Sequence, residues 1–156
     1  MINISIPDFG DLQLTNLILD YNGTIAFDGE LYEGLDLILT ELSERIDIHI
    51  LTADTFGTVK KKLERLPVKL SILATDEQDK EKMEYVKKLG KTYSVCIGNG
   101  RNDRLMLKEA ALGIALIQDE GACTQTILSA DIVCKSIQSA LGLFTDSKRM
   151  IATLRS

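Results

Sequence analysis

Short aliphatic runs alternate with helical-period segments along most of this chain, and that alternation restricts it to one kind of architecture. Residues 17–19, 46–52, 68–73, 93–97, 112–116 and 132–133 read as strands. Between them Leu31, Leu35, Ile38, Leu39 and Leu42, then Val59, Leu63 and Leu66, then Met83, Val86 and Leu89 recur at helical spacing, and a further helix is expected over about 104–110. Pro67 stops the second of these helices and Gly90 caps the third. Strands that are apolar on both faces and separated by helices require βαβ units around a mostly parallel sheet. The expected fold is therefore α/β and Rossmann-like, a three-layer sandwich. Ahead of it Ile2, Ile4 and Ile6, a turn over 7–11, and Leu12 and Leu14 predict an N-terminal β-hairpin. With 156 residues and no linker, low-complexity tract or internal repeat, one domain over 1–156 is expected.

In open α/β sheets the site lies beyond the carboxyl ends of the strands. Those ends carry Asp20 and Asn22 after the first central strand, Thr52 after the second, and Gly98-Asn99-Gly100-Arg101-Asn102-Asp103 after the fourth. Polar side chains from three strands converge on one edge. A carboxylate there is suited to phosphoryl transfer, since an acyl phosphate divides one displacement into two. The charge of an incoming phosphate must then be offset. A magnesium ion held by hard oxygens can do this, and the candidates are Asp20, the carbonyl of Asn22, the side-chain oxygen of Asn99, and Asp103. Thr52 can donate to a phosphate oxygen, and Lys80 or Lys82 can neutralise the spreading charge.

Composition narrows the partners. The net charge of −5 argues against a nucleic-acid binder, and the lysines at 60–62 and at 87, 88 and 91 fall on helical patterns as solvated faces. No apolar stretch reaches the roughly twenty residues of a membrane span, and the N-terminus has no signal-peptide profile, so a cytoplasmic protein with no membrane partner is expected. Cys96, Cys123 and Cys134 are odd in number and widely spaced, which fits reduced thiols better than zinc or a disulfide framework. His49, alternating with Ile48 and Ile50 and lacking a second histidine, is expected to be structural.

Taken in order, these motifs resemble the haloacid dehalogenase superfamily, and within it the phosphorylation domain of P-type ATPases and their small soluble relatives. Asp20-Tyr21-Asn22-Gly23-Thr24 looks like the motif whose leading Asp is phosphorylated. Thr52-Ala53-Asp54 resembles a Thr-Gly-Asp segment with Ala for Gly. Lys82, four residues before Val86, is similar to the lysine motif, and that spacing prefers Lys82 to Lys80. Residues 98–103 match Gly-Asp-Gly-x-Asn-Asp except at Asn99. The likeness spans roughly 16–156. It implies a magnesium-dependent phosphohydrolase working through an aspartyl-phosphate on Asp20, with Thr52 and Lys82 binding the phosphoryl group.

Two departures qualify that expectation. Asn22 stands where family phosphatases carry an acid–base Asp, and an amide cannot shuttle a proton. General acid–base catalysis is worth on the order of 10²–10⁴ in rate, so slow dephosphorylation is expected. Asn99 stands where the metal ligand is acidic, so magnesium affinity should be weakened. The alternative reading takes both asparagines as marks of a degenerate site that serves as a binding or regulatory module. Neither insertion point leaves room for a cap or a nucleotide-binding domain, so ion pumping is not expected of this chain by itself. An open crevice would admit a macromolecular phosphosubstrate, or homo-oligomerisation would supply the lid.

Overall fold

The computed structural model describes residues 1–53, 57–74 and 76–156. β1 (Ile2–Ile6) and β2 (Gly10–Leu14) form the N-terminal hairpin, with Ile2 opposite Leu14 and Ile6 opposite Gly10. Alternation places Ile2, Ile4, Ile6, Leu12 and Leu14 on its buried face. Next come β3 (Asn16–Asp20), the short pair β4 (Ala26–Phe27) and β5 (Glu30–Leu31), α1 (Leu35–Ser43), β6 (Asp47–Thr52), α2 (Thr58–Leu63) and β7 (Lys69–Ile72). The second half runs α3 (Gln78–Leu89), β8 (Ser94–Gly98), α4 (Arg104–Glu109), β9 (Leu112–Leu116), α5 (Thr124–Ile127), β10 (Ile132–Cys134), α6 (Ile137–Thr145) and α7 (Ser147–Leu154).

Six strands make one parallel sheet in the order β10-β9-β8-β3-β6-β7. The period of two in β3 decides the layering. Leu17 and Leu19 point into a core shared with the hairpin, α1, α2, α6 and α7, whereas Ile18 points to the other face, under α3 and α4. Helices therefore cover both faces, as an all-parallel sheet requires. Chain order reverses beside β3, since β6 and β7 follow on one side and β8 to β10 on the other. The crevice above such a switch point is where ligands bind in sheets of this type. Asp20 ends the strand that lies there.

Several elements differ from the sequence-based expectation. The first helix starts at Leu35, because Leu31 belongs to β5. Asp28 and Gly29, with φ of 49° and 79°, close a two-residue turn between β4 and β5, and Asp-Gly favours that left-handed pair. The fourth central strand starts at Ser94, after a 3₁₀ turn over Lys91–Tyr93. Helices α5, α6 and α7 lie in a region where only a strand was expected. The last two carry their own signals. Ser136 and Asp146 cap them by accepting from Ser139 N and Lys148 N, and Ile137, Ala140, Leu141 and Phe144 repeat at helical spacing.

His49 is buried between β6 and α3, with Nδ1 at 2.9 Å from the Tyr85 hydroxyl, which accepts from Ser71 Oγ at 3.1 Å. Burial, aided by Lys69, lowers its pKa and keeps it neutral. Among the described residues no helix is long and apolar enough to cross a membrane.

Gly113 in β9 lets α4 approach, since a Cβ there would lie 2.5 Å from the carbonyl oxygen of Leu107. That oxygen is backbone and cannot swing aside. Gly113→Ala should therefore lower unfolding free energy by about 1–3 kcal/mol, as overpacking does; urea denaturation at constant m-value checks it.

Candidate active site

Three side chains from three elements meet under the crevice. Asp20 ends β3, Lys82 lies one turn into α3, and Asp103 precedes α4. Lys82 Nζ is 2.5 Å from Asp20 Oδ1 and 2.6 Å from Asp103 Oδ1, and it is 2% exposed. The other oxygen of Asp103 accepts from the backbone N–H of Asn99 at 2.9 Å and of Gly100 at 2.8 Å. Gly98 is needed just before them, because a Cβ there would lie 2.4 Å from the Asp103 carboxyl carbon. Arg104 reaches across to Asp79 at 2.8 Å and fastens α4 to the start of α3, which carries Lys82.

Electrostatics follow from counting charges, since one buried ammonium serves two carboxylates. Burial, then the charge of Asp103, pushes the Asp20 carboxyl up to about 7, against the opposing pull of Lys82 and the Tyr21 N–H. Burial pulls the Lys82 ammonium down, but Asp20 and Asp103 outweigh it and its pKa ends above the ordinary lysine value. Asp20 is thus a strained carboxylate beside a permanently charged lysine. Lys80, the other lysine candidate, is exposed and pairs with Glu77.

On the far side of Asp20 the oxygens outnumber the protons. Thr24 Oγ1, fully buried, is 3.4 Å from both Asp20 Oδ2 and Asn99 Oδ1. One hydroxyl proton cannot satisfy both acceptors. The Asn99 amide is fixed in this orientation because its Nδ2 donates to the carbonyl of Gly121 at 3.1 Å. A carboxylate oxygen and an amide oxygen that share one hydroxyl at 3.4 Å suit a divalent cation, and magnesium asks for one or two carboxylates with neutral oxygens and water completing the shell. Asn22 lines the same crevice, so its carbonyl fits as a further donor. Asp103 fits less well than expected from sequence, because both of its oxygens already hold Lys82 and the 99–100 backbone. It positions the lysine instead. Among the described residues no three His, Cys, Asp or Glu side chains cluster into a metal cage.

The crevice above these groups has a volume of about 500 Å³ and is lined by Asp20, Asn22, Thr52, Lys82, Asn99 and others. Thr52, 5% exposed at the end of β6, opens onto it as expected. Asp54, named from sequence, lies outside the described residues. At the mouth Lys62 donates to the Gly29 carbonyl at 2.6 Å and pairs with Glu30, tying α2 to the β4–β5 turn. Asn102 Nδ2 donates to Gln78 Oε1 at 2.8 Å.

Sequence reasoning missed the loop after β9. Gln118 Nε2 donates to the carbonyls of Gly23 and Thr24, both at 2.9 Å, and Glu120 lines the crevice. The strand-end rule that selected Asp20 and Asn99 also selects residues 117–120, the segment leaving the carboxyl end of β9.

No protein-family model matches the chain. Two uncharacterized proteins of Methanocaldococcus jannaschii are similar to it. One is 56% identical over 61 residues, or 39% of this chain and 66% of that protein; the other is 56% identical over 39 residues, or 25% and 89%. The chain thus spans just under two thirds of the first of these relatives. Solved structures resemble it over nearly the whole chain. A 3-deoxy-D-manno-octulosonate 8-phosphate phosphatase from Moraxella catarrhalis, in complex with magnesium, phosphate and its sugar acid, superposes with TM-score 0.69 at 20% identity, covering 92% of this chain and 94% of that one. The cobalt-bound enzyme of the same name from Haemophilus influenzae gives 0.73 at 14% identity, covering 92% and 94%. A phosphoserine phosphatase gives 0.65 at 16% identity, covering 83% and 98%. At these identities the likeness is one of fold.

The raised pKa of Asp20 has a direct effect on stability. Between the unfolded value of 3.8 and the folded value of about 7 the native state holds a proton that the unfolded state has released. This group therefore adds stability as pH falls through that window and removes it as pH rises. Asp20→Asn, measured in metal-free protein, should raise the melting temperature at pH 8 by about 3–8 °C, with the gap closing toward pH 5. A wild-type protein equally or more stable at pH 8 would contradict the charge count.

Proposed function

We propose that this chain, which has the haloacid dehalogenase-like fold, is a slow phosphohydrolase that works through an aspartyl-phosphate on Asp20 with a magnesium ion. The observation that carries the reading is the Lys82 bridge between Asp20 and Asp103 at the switch point of the sheet. A buried trio with a net negative charge is costly as pure structure; it is reasonable where an incoming phosphoryl group and a cation complete it.

An oxygen of Asp20 would attack phosphorus as the ester bond to the leaving oxygen breaks, giving an acyl phosphate. Water would then displace the carboxylate, releasing inorganic phosphate. Lys82 would hold Asp20 in place and face the charge that spreads over the transferring oxygens, and Thr52 would donate to one of them. Asp20, Asn99 and the Asn22 carbonyl are the groups that would hold magnesium, which when bound supplies positive charge opposite those oxygens. Asn22 cannot protonate the leaving oxygen or activate water, so both half-reactions lack an acid–base group at that position. Kinship with the phosphorylation domain of P-type pumps rests on the sequence motifs alone. The uncapped crevice suits a phosphate carried by a macromolecule, and a second copy of the chain is the other source of a lid.

With magnesium and a small phosphoryl donor such as acetyl phosphate, the protein should acquire an acid-stable, hydroxylamine-labile phosphoryl group that is absent in Asp20→Asn. Asn22→Asp should raise turnover of p-nitrophenyl phosphate by about 10²–10⁴-fold, the range that acid–base catalysis provides. Labelling that survives Asp20→Asn would remove the mechanism. No labelling and no gain from Asn22→Asp would leave the fold as a binding module.

A further inference from the structure

We propose that Glu120 is a ligand of the divalent cation at the Asp20 site and supplies the negative charge that Asn99 lacks. The inference rests on the metal-dependent reading above.

Gly23 locates the carboxylate. A Cβ built on it would lie 2.3 Å from Asn99 Nδ2, 2.6 Å from Asn99 Oδ1 and 2.6 Å from Glu120 Oε2. The two oxygens are therefore no farther apart than about twice that distance, on the side of the Asp20 loop where Asn99 Oδ1 meets Thr24. Gly23 has φ of +79° and no room for a side chain, so glycine is required there for both reasons. The absence of a Cβ is what lets the Asn99 amide and the Glu120 carboxylate close onto the backbone together.

The loop holding Glu120 is fastened to the segments that carry the other candidate ligands. Gln118 donates to the carbonyls of Gly23 and Thr24, Gly121 O accepts from Asn99 Nδ2, and Cys123 N donates to Asn99 O at 2.9 Å. The turn itself is closed by Gly121 N to Gln118 O at 2.7 Å. Its two acidic side chains then have different fates. Asp119 Oδ2 accepts from the Tyr32 hydroxyl at 2.8 Å, whereas Glu120 makes no hydrogen bond or ion pair among the described residues and lines the crevice. Glu120 is exposed, so its charge carries little desolvation penalty until a cation binds.

Charge counting favours the same assignment. Asp103 is committed to Lys82 and two backbone N–H groups, which among the described residues leaves Asp20 as the other carboxylate for the cation. Magnesium sites use one or two carboxylates; Glu120 provides the second.

The test is metal affinity without substrate. Manganese binding, followed by the paramagnetic resonance signal of free Mn²⁺, is measured for wild type, Glu120→Gln, Asp119→Asn and Asp20→Asn. Glu120→Gln should weaken binding about 10–100-fold, and Asp119→Asn should change it less than twofold. Both substitutions are at exposed positions and keep the side-chain shape, so circular dichroism should be unchanged. If Glu120→Gln binds as wild type does while Asp20→Asn loses the ion, Glu120 is a solvated surface acid and the metal reading stands without it. Equal weakening by Asp119→Asn would show a diffuse field effect and overturn ligation. A wild-type protein that binds no Mn²⁺ at millimolar concentration would overturn the metal reading and this ligand together.

Discussion

One lysine ammonium placed between two carboxylates governs the rest of this structure. Buried ion pairs are a weak source of stability, because desolvation offsets their attraction, and a lone ammonium between Asp20 and Asp103 leaves one negative charge over. The scaffold must hold the trio in place. It does so by satisfying Asp103 with the N–H groups of Asn99 and Gly100, by removing the Cβ of Gly98, and by locking α3 to α4 through Arg104 and Asp79. Burial and the neighbouring charge of Asp103 outweigh what Lys82 and the Tyr21 N–H give Asp20, and its pKa rises accordingly. On the proposed function, the stability forgone at Asp20 would make it responsive to a cation or a phosphoryl group.

Much of this was legible in the sequence, for physical reasons. Leu17-Ile18-Leu19-Asp20 can be read because a doubly covered strand must be apolar on both faces, so the first polar side chain marks where it leaves the sheet. Residues 98–103 can be read because a tight turn with glycines at 98 and 100 and carboxamide and carboxylate side chains at 99 and 103 leaves few alternatives. Lys82 was separable from Lys80 only through the spacing to Val86, and the structure separates them by burial. What could not be read depends on tertiary closure. Asp103 was expected as a metal ligand, and only the folded structure shows its oxygens bonded to Lys82 and to the N–H groups of Asn99 and Gly100. The pairing of β4 with β5 could not be read, since two-residue strands have no periodicity to detect. Gln118 and Glu120 lie where the strand-end rule would have pointed, but their contacts with Gly23 and Thr24 appear only when β9 lies beside β8.

The two asparagines have different standing once the geometry is known. Asn22 is exposed at the crevice, and its amide cannot perform the proton transfer that a carboxylate would. On the proposed mechanism its effect would be a deficit in rate. Asn99 is 6% exposed and every polar atom of its side chain has a use, with Oδ1 near Thr24 and Nδ2 on the carbonyl of Gly121.

That difference bears on whether Asn99 is a lesion or part of the design. An aspartate at 99 would turn a carboxylate oxygen toward the Gly121 carbonyl, replacing a hydrogen bond of 3.1 Å with a repulsion between two acceptors. The 118–121 turn would then lose one of its ties, and with it the position of Glu120. An amide at 99 therefore exchanges a charge for an anchor. The anchor holds a loop whose tip carries a carboxylate beside the same spot. On this argument the charge has moved from one strand end to its neighbour, from after β8 to after β9, and the parallel order of those two strands is what keeps the transfer local. A site without function would give no reason for Glu120 to stand against Gly23, or for Gln118 to clamp both carbonyls beside it.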